Sequence, residues 1–113
     1  MLAYTDQLYS GTATASGDTY TSPVGTKYAK EGTFFLDITA VSGTSPTLDV
    51  TLRVYDRFSD DWYLLGTFTQ KNSTGIDIGQ IQYGLGEKVA IKYVIGGSNP
   101  SFTFSVNATF KEG

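Results

Sequence analysis

The sequence has no cysteine and no histidine among its 113 residues. Without cysteine, the chain can form neither disulfides nor thiolate metal sites. Without histidine, it lacks the commonest general base and the commonest metal ligand of proteins. We therefore expect no catalytic residues, no cofactor and no bound metal.

Charge and long apolar runs are also scarce. The 8 basic residues are scattered along the chain and are outnumbered by 11 acidic ones, which gives a formal net charge of −3. Nucleic acids are held by clustered Lys and Arg, so no nucleic-acid partner is expected. No apolar run approaches the roughly 18 residues that span a bilayer, and because the first ten residues lack a basic segment followed by an apolar one, we expect no signal peptide there. We expect no membrane partner.

The residues that are abundant, among them Thr, Gly, Ser, Tyr, Phe and Val, favour β-strands and turns. Four segments alternate apolar and polar residues with a period of two, which is typical of strands with one buried face. Their apolar positions are Phe34, Leu36, Ile38 and Ala40; Leu48, Val50, Leu52 and Val54; Val89, Ile91, Tyr93 and Ile95; and Phe102, Phe104, Val106, Ala108 and Phe110.

Four weaker strands are predicted at Thr12–Ala15, Thr19–Ser22, Trp62–Thr69 and Ile76–Ile81. Helical periodicity is nowhere sustained. The sequence predicts one all-β domain over residues 1–113, with little or no helix. The fold class is an antiparallel β-sandwich (jelly-roll-like) or a small β-barrel of about seven to eight strands. Residues 1–30 are expected to form an N-terminal arm with weak strands.

An internal repeat relates Gly43–Leu52 to Gly97–Val106, with like residues at almost every position. Each copy contains a Gly-x-x-Pro turn that follows one strong strand and begins another. We predict two equivalent hairpins from this repeat. The strands that enter the turns are out of phase, because Ile38 aligns with Lys92 at the repeat spacing. One turn or strand must therefore contain an extra residue or a bulge.

Three groups of side chains could support chemistry. The segment Asp56–Asp61 has three carboxylates that could bind Ca²⁺, but it lacks the spacing of an EF-hand loop, so a solvated hairpin turn is favoured. Asp37 and Asp49 could in principle act as acid and base, although both lie on polar strand faces. Trp62 and Tyr63 could form a sugar platform, but we expect one in the core and the other covering the sheet.

Interface residues are predicted on two grounds. Some apolar side chains lie on the face of a strand that points away from the predicted core. Several tyrosines lie in the N-terminal segment or next to Trp62. The candidate interface consists of Tyr4, Tyr9, Tyr20, Tyr28, Phe35, Val41, Tyr55 and Tyr63.

Several spaced segments resemble small structural proteins of tailed bacteriophages. The resemblance covers roughly residues 33–108 and is carried by Leu36–Val50, by Trp62-Tyr63, by Gly66–Gln70 and by Gly96–Val106. The segment Asp56–Asp61 departs from the pattern, which more often has Asp-Gly there.

The resemblance implies a virion component, most of all a capsid decoration (cement) protein that binds the outside of the assembled head. It implies the major capsid protein as partner, a homo-oligomer such as a trimer, and assembly in the host cytoplasm. A tail or fibre component and a carbohydrate-binding β-sandwich module are the alternatives.

Overall fold

The computed structural model describes residues 3–112, apart from the side chains of Gln80 and Ile81. Within these residues the chain forms seven β-strands and no helix, and therefore no helix that could cross a membrane. The all-β prediction is confirmed, but Thr19–Ser22 forms a turn instead of a strand. The strands are β1 (Ala3–Ala13), β2 (Gly17–Asp18), β3 (Val24–Gly25), β4 (Ala29–Asp56), β5 (Asp61–Thr67), β6 (Gly75–Tyr83) and β7 (Lys88–Glu112).

Two long strands, β4 and β7, run antiparallel along almost their whole length and bend together in the middle. Ser42 pairs with Ser101 before the bend, and Leu48 pairs with Ile95 after it. The first sheet contains β1, the second half of β7, the first half of β4 and β6. The second sheet contains β2 and β3, the first half of β7, the second half of β4 and β5. The bend folds the two sheets over one another into a sandwich with jelly-roll connectivity.

The repeated Gly-x-x-Pro segments form this bend, so the prediction of two hairpins is wrong. Each segment carries its strand from one sheet to the other, and the two segments lie side by side, with Thr44 paired to Ser98. Gly43 and Gly97 have φ angles of 110° and 108°, a region that only glycine adopts without strain. A Cβ on Gly43 would lie 2.6 Å from the carbonyl oxygen of Asn99, and a Cβ on Gly97 would lie 2.7 Å from that of Ser45. The repeat is therefore a pair of equivalent corners that pack on each other.

The extra residue required by the phase of the repeat lies at Thr39. The β4–β7 register shifts between Ile38, which pairs with Phe104, and Ala40, which pairs with Thr103. This bulge reverses the faces of the residues that follow it. Ala40, predicted in the core, is exposed, whereas Val41, predicted on the outer face, packs against the core.

The core lies between the two sheets and is built from the alternating apolar positions. Phenylalanines of β7 dominate it, together with leucines, valines and isoleucines from both halves of β4 and from the first half of β7. Residues beyond the strongest strands also contribute, including Leu8 and Ala13 of β1 and Phe68 and Leu85 of the loops. The predicted inward faces are thus confirmed for the residues Phe34, Leu36, Ile38, Leu48, Val50, Leu52, Val89, Ile91, Phe102, Phe104, Val106, Ala108 and Phe110.

The N-terminal segment contributes β1 to the first sheet and the short strands β2 and β3 to the second. Strand β1 pairs with the C-terminal half of β7, from Ala3 opposite Lys111 to Ala13 opposite Phe102. Residues 1 and 2 of the predicted arm lie outside the described residues. The role of residues 1–30 as an arm stays a prediction.

Candidate functional site

The eight predicted interface residues do not lie on one surface. Tyr4 and Tyr9 are half-buried against the core, where their rings lie 5.2 Å from Phe110 and 4.6 Å from Phe104. Val41 also packs against the core. The other five are divided among the outer faces of the two sheets and the loops, namely Tyr20, Tyr28, Phe35, Tyr55 and Tyr63.

An aromatic cap, defined here as Tyr20, Tyr55 and Trp62, covers part of the outer face of the second sheet. The rings of Tyr20 and Trp62 stack with centroids 4.8 Å apart and an angle of 5° between their planes. Tyr55 lies opposite Trp62 in the β4–β5 register, with the two centroids 5.2 Å apart. The cap therefore forms a small second cluster outside the main core.

Cations border the aromatic cap. The Lys88 Nζ lies 4.1 Å from the centroid of Tyr55 and 5.8 Å from that of Trp62, within the range of cation–π attraction. Burial raises the pKa of the Tyr20 hydroxyl, and the charges of Asp18 and Asp61 add to the rise against the opposing effect of Arg53. The cap thus joins an apolar centre to a charged rim.

The Trp62-Tyr63 pair differs from the sequence expectation. Trp62 covers the outer face of the second sheet, as one of the pair was expected to do. Tyr63 lies opposite Val54 but is 49% exposed, and its hydroxyl donates a hydrogen bond to the Ser59 hydroxyl at 2.9 Å. Tyr63 thus stays out of the core near the start of β5, next to the turn that Ser59 belongs to.

An apolar surface on the first sheet, the edge patch, consists of Phe35, Ile76 and Ile78. Phe35 lies between buried Phe34 and Leu36 and so faces outward, and it is paired with Ile78. Ile76 and Ile78 are 72% and 69% exposed. Sequence analysis found Phe35 but missed the two isoleucines, since an alternating Ile-x-Ile segment equally fits a strand whose isoleucines face the core.

The edge patch adjoins a polar surface on one side and an ion pair on its inner side. Phe35 is paired on its other flank with Asn107, whose side chain accepts a hydrogen bond from Gln7 at 2.8 Å. Asp77 is paired with buried Leu36, and its carboxylate lies 2.8 Å from the Lys71 Nζ. On the outer face, Asp37 of β4 is the partner of Ile76, so one carboxylate borders the patch.

A shallow groove of about 340 Å³ lies at the end of the sandwich that contains the start of β1 and the end of β7. Tyr4, Gly25, Lys27, Tyr28 and Glu112 line it. The Tyr28 ring is 74% exposed, with the Lys27 Nζ 5.6 Å from its centroid. The groove is open and carries one charge of each sign, so its electrostatics favour no particular class of ligand.

The three carboxylates of Asp56–Asp61 each bind a separate partner. Asp56 accepts hydrogen bonds from the Ser59 amide and hydroxyl, and the bond from that hydroxyl is the largest factor that lowers the Asp56 pKa. Asp60 accepts a bond from the Tyr55 hydroxyl, and Asp61 accepts one from the Trp62 amide. These contacts are those of a hairpin turn, and among residues 3–112 no three acidic side chains group as metal ligands would.

The two other predicted carboxylates are also apart. Asp37 lies in the first half of β4 and Asp49 in the second half, so the two residues lie in different sheets. Asp49 accepts a hydrogen bond from the side-chain amide of Gln70 at 2.9 Å. The two carboxylates therefore do not form an acid–base pair.

Neither a protein-family model nor a curated protein sequence matches the chain. Solved structures of similar fold include the SPBc2 prophage-derived protein YomS, with a TM-score of 0.55 and 13% identity over 96% of this chain and 91% of that one. The CBM36-1 domain of a multidomain xylanase from the hindgut metagenome of Trinervitermes trinervoides has a TM-score of 0.51 and 9% identity over 99% of both chains.

A third structure of similar fold is that of the T13 IBDV viral particle, with a TM-score of 0.51 and 13% identity. That match covers 99% of this chain and 31% of the viral chain. At such identities the likeness concerns the fold alone. One β-sandwich thus occurs in a prophage protein, a viral particle and a module of a xylanase.

Proposed function

We propose that the chain is a structural protein of a tailed-phage virion that binds the outside of the assembled head as a decoration protein. The observation that carries the proposal is the edge patch, an exposed apolar surface on the outer face of a sheet with the Asp37 carboxylate at its border. Contiguous exposed apolar surface marks interaction sites on soluble proteins. The resemblance of residues 33–108 to phage structural proteins and the fold shared with a prophage-derived protein support the assignment.

The proposed mechanism is non-catalytic and needs no cofactor. A rigid sandwich presents the edge patch to the major capsid protein at sites that exist only in the assembled shell. A protein that binds the assembled state and not the free subunits stabilises the shell by mass action. Self-association would multiply weak contacts across the repeated sites of the shell.

The test is cosedimentation with heads and tails purified separately from the phage that encodes the chain. The chain should pellet with mature heads and stay in the supernatant with tails. The Phe35→Gln variant should bind heads about tenfold more weakly, because it replaces the centre of the patch with a polar side chain. The Val94→Gln variant is the matched control, since Val94 is 49% exposed on the second sheet, away from the patch.

Binding to tails alone would overturn the head assignment in favour of a tail or fibre component. Binding to neither, or equal head binding by the Phe35→Gln and Val94→Gln variants, would overturn the role of the edge patch. Circular dichroism of both variants separates a loss of binding from a loss of folding.

A carbohydrate-binding module is the second candidate, and the aromatic cap is the observation that favours it. Sugars stack on Trp and Tyr rings, and the CBM36-1 domain has a similar fold. The cap differs from an open platform, because Tyr20 and Trp62 are stacked on each other and each covers a face of the other ring. A sugar would therefore have to displace Tyr20 or use the remaining ring edges.

Trp62 is the one tryptophan of the chain, so its fluorescence reports directly on this second candidate. Soluble xylan should shift the emission and protect the indole from acrylamide if the cap binds sugar. Unchanged emission and quenching with xylan, together with no hits on a glycan array, would remove the candidate.

A further inference from the structure

Strand β6 is an edge strand of nine residues that pairs with β4 on one side and, among the described residues, with no strand on the other. An edge strand presents unpaired amide and carbonyl groups, which form a template for another strand. Natural proteins usually protect such edges with Lys, Pro or inward-pointing charges. The sequence Gly75–Tyr83 contains no Lys, Arg or Pro.

Asp77 is the one charged residue of β6, and its charge is neutralised within the chain. Its carboxylate forms the ion pair with Lys71 on the inner side of the sheet, with both side chains about two-thirds or more buried at 33% and 27% exposure. Two molecules with a net charge of −3 repel each other in general. The β6 edge adds little to that repulsion, because Asp77 is paired with Lys71, and Asp37, opposite Ile76, lies one strand further from an approaching copy.

The side chains on the two edge strands of the first sheet indicate that a second copy of β6 is the strand that pairs with the free edge of β6. On β1, the opposite edge, the exposed side chains are mostly polar and include Thr5, Asp6 and Gln7. On β6 they are Ile76 and Ile78, with Tyr83 63% exposed near the end of the strand. Pairing of β6 with β1 would cover isoleucines with polar side chains, whereas pairing of β6 with itself brings apolar groups together.

We infer that two copies of the chain associate through their β6 strands in an antiparallel, two-fold dimer. A register centred on Ile76 places Ile76 opposite the partner's Ile76 and Asp77 opposite the partner's Gly75, so that the two carboxylates do not face each other. The bulge of β6 between Ile78 and Ile81 lies outside this pairing. In this register Gly75–Asp77 of the two β6 strands pair with each other, and the isologous contact closes at two molecules.

The dimer joins the two first sheets into one continuous sheet. Strand pairing uses the backbone edge of β6, and therefore the outer faces of Phe35, Ile76 and Ile78 stay exposed. The edge patches of the two copies then adjoin across the two-fold axis and form one surface twice as large. This dimer is an alternative to the trimer that the resemblance implies, and it would supply the self-association that the proposed function uses.

Sedimentation velocity of the full chain from micromolar to millimolar concentration tests the dimer. The wild-type chain should shift from monomer to dimer as concentration rises. The Ile76→Lys variant should dimerise at least about tenfold more weakly, because it places two ammonium groups opposite each other at the axis. The Val94→Lys control introduces the same charge on an exposed apolar site of the second sheet and should dimerise as the wild type does.

Two further experiments test the strand register of the dimer. They also show whether a weaker dimer results from the lost contact or from a misfolded variant. An equimolar mixture of the Ile76→Lys and Ile76→Glu variants should dimerise more strongly than either variant alone. Because the chain has no cysteine, single-cysteine variants can be compared without background. Opposed residues of antiparallel strands lie about 4.5–5.5 Å apart at Cα, within the range for a disulfide, so Ile76→Cys should cross-link under mild oxidation much faster than Val94→Cys.

A wild-type chain that is monomeric at every concentration would overturn the inference. So would a dimer that Ile76→Lys and Val94→Lys form equally well, or equal cross-linking of the two cysteine variants. These results are independent of the proposed function. A chain that is monomeric but pellets with heads would refute only the dimer. A chain that forms the β6 dimer but does not bind heads would refute only the decoration role.

Discussion

Two glycines determine how the long strands change sheets. Gly43 and Gly97 combine a positive φ with a carbonyl oxygen of the opposite corner less than 3 Å from where a Cβ would lie. Alanine at either position adds backbone strain and a steric clash with a main chain that is itself fixed by strand pairing. We expect Gly97→Ala to lower the free energy of unfolding by about 1–3 kcal/mol.

Urea denaturation measures this loss, and Gly25→Ala is the matched control because no atom lies within 4 Å of a Cβ built there. Gly43→Ala should resemble Gly97→Ala, since the two corners are equivalent. If Gly97→Ala unfolded at the same urea concentration as Gly25→Ala, the corners would tolerate side chains. The close contact of Gly97 with the opposite corner would then be wrong.

Thr26 is a polar residue with no exposed surface, and its hydroxyl ties one loop to another. It donates hydrogen bonds to the carbonyl oxygens of Leu85 and Gly86 at 3.0 and 3.2 Å. Thr26→Val keeps the shape but leaves the Leu85 carbonyl without this donor, and should lower the free energy of unfolding by about 1–3 kcal/mol. Thr21→Val, at an exposed position, is the control for the change in side-chain type. Equal urea midpoints for the two variants would show that the bond contributes nothing.

Among the elements of the fold, β4 gives the clearest case of a face reversed by a bulge. Because the register shifts at Thr39, Val41 faces the core and Ala40 faces water. We expect Val41→Lys to lower the free energy of unfolding by about 1 kcal/mol or more, since it removes apolar contacts and places a charge near the core. Ala40→Lys should change it by less than about 0.5 kcal/mol, as surface substitutions usually do. Thermal or urea unfolding of both variants decides the matter, and the reverse order would mean that alternation continues through Thr39.

The sequence alone was sufficient to require an extra residue or a bulge, but not to place it at Thr39 or to describe the turns beside it. Alternation over Phe34–Ile38 and over Val89–Ile95 fixed which residues are inward, and the mismatch between the two phases required one extra residue. Whether a Gly-x-x-Pro segment reverses the chain or bends it into another sheet depends on what pairs with the flanking strands. That pairing joins residues far apart in sequence, such as Ser42 and Ser101, and local propensities do not determine it.

The candidate sites were even less accessible to sequence analysis. Exposure of Ile76 and Ile78 follows from the position of β6 at the edge of a sheet and from the direction in which its isoleucines face, both of which are set by pairing with β4. The stacking of Tyr20 on Trp62 joins two segments that lie 42 residues apart in sequence. The sequence predicted several tyrosines at an interface, but only the fold brings particular rings together.

The molecule as a whole depends on contacts between its two ends. β1 pairs with the last strand, so the first sheet is complete only when nearly the entire chain has been brought together. Tyrosines of the N-terminal segment stabilise this closure by packing on both sheets. Tyr9 contacts Phe104 of the first sheet and lies 5.2 Å from the ring of Tyr93 in the second, while Tyr20 stacks on Trp62.

The same tyrosines make the stability of the molecule sensitive to alkaline pH. Burial is the main factor that raises the pKa values of Tyr4, Tyr9 and Tyr20 above their ordinary value of 10.0. Above that value the unfolded chain releases protons that the folded chain still retains, so the free energy of unfolding falls as pH rises. The contribution is fully present below pH 10 and is lost as pH passes through the raised pKa values.

Urea midpoints measured from pH 8 upward should therefore be flat at first and then fall above about pH 10. The double variant Tyr9→Phe/Tyr20→Phe removes two of the ionising groups and should fall less steeply over the same interval. Tyr28→Phe is the matched control and should keep the wild-type slope, because the Tyr28 ring is 74% exposed and meets water in both states. If the double variant and the control fell equally, alkaline unfolding would arise from groups outside these two packed rings, and the closure of the N-terminal segment would not depend on neutral tyrosines at Tyr9 and Tyr20.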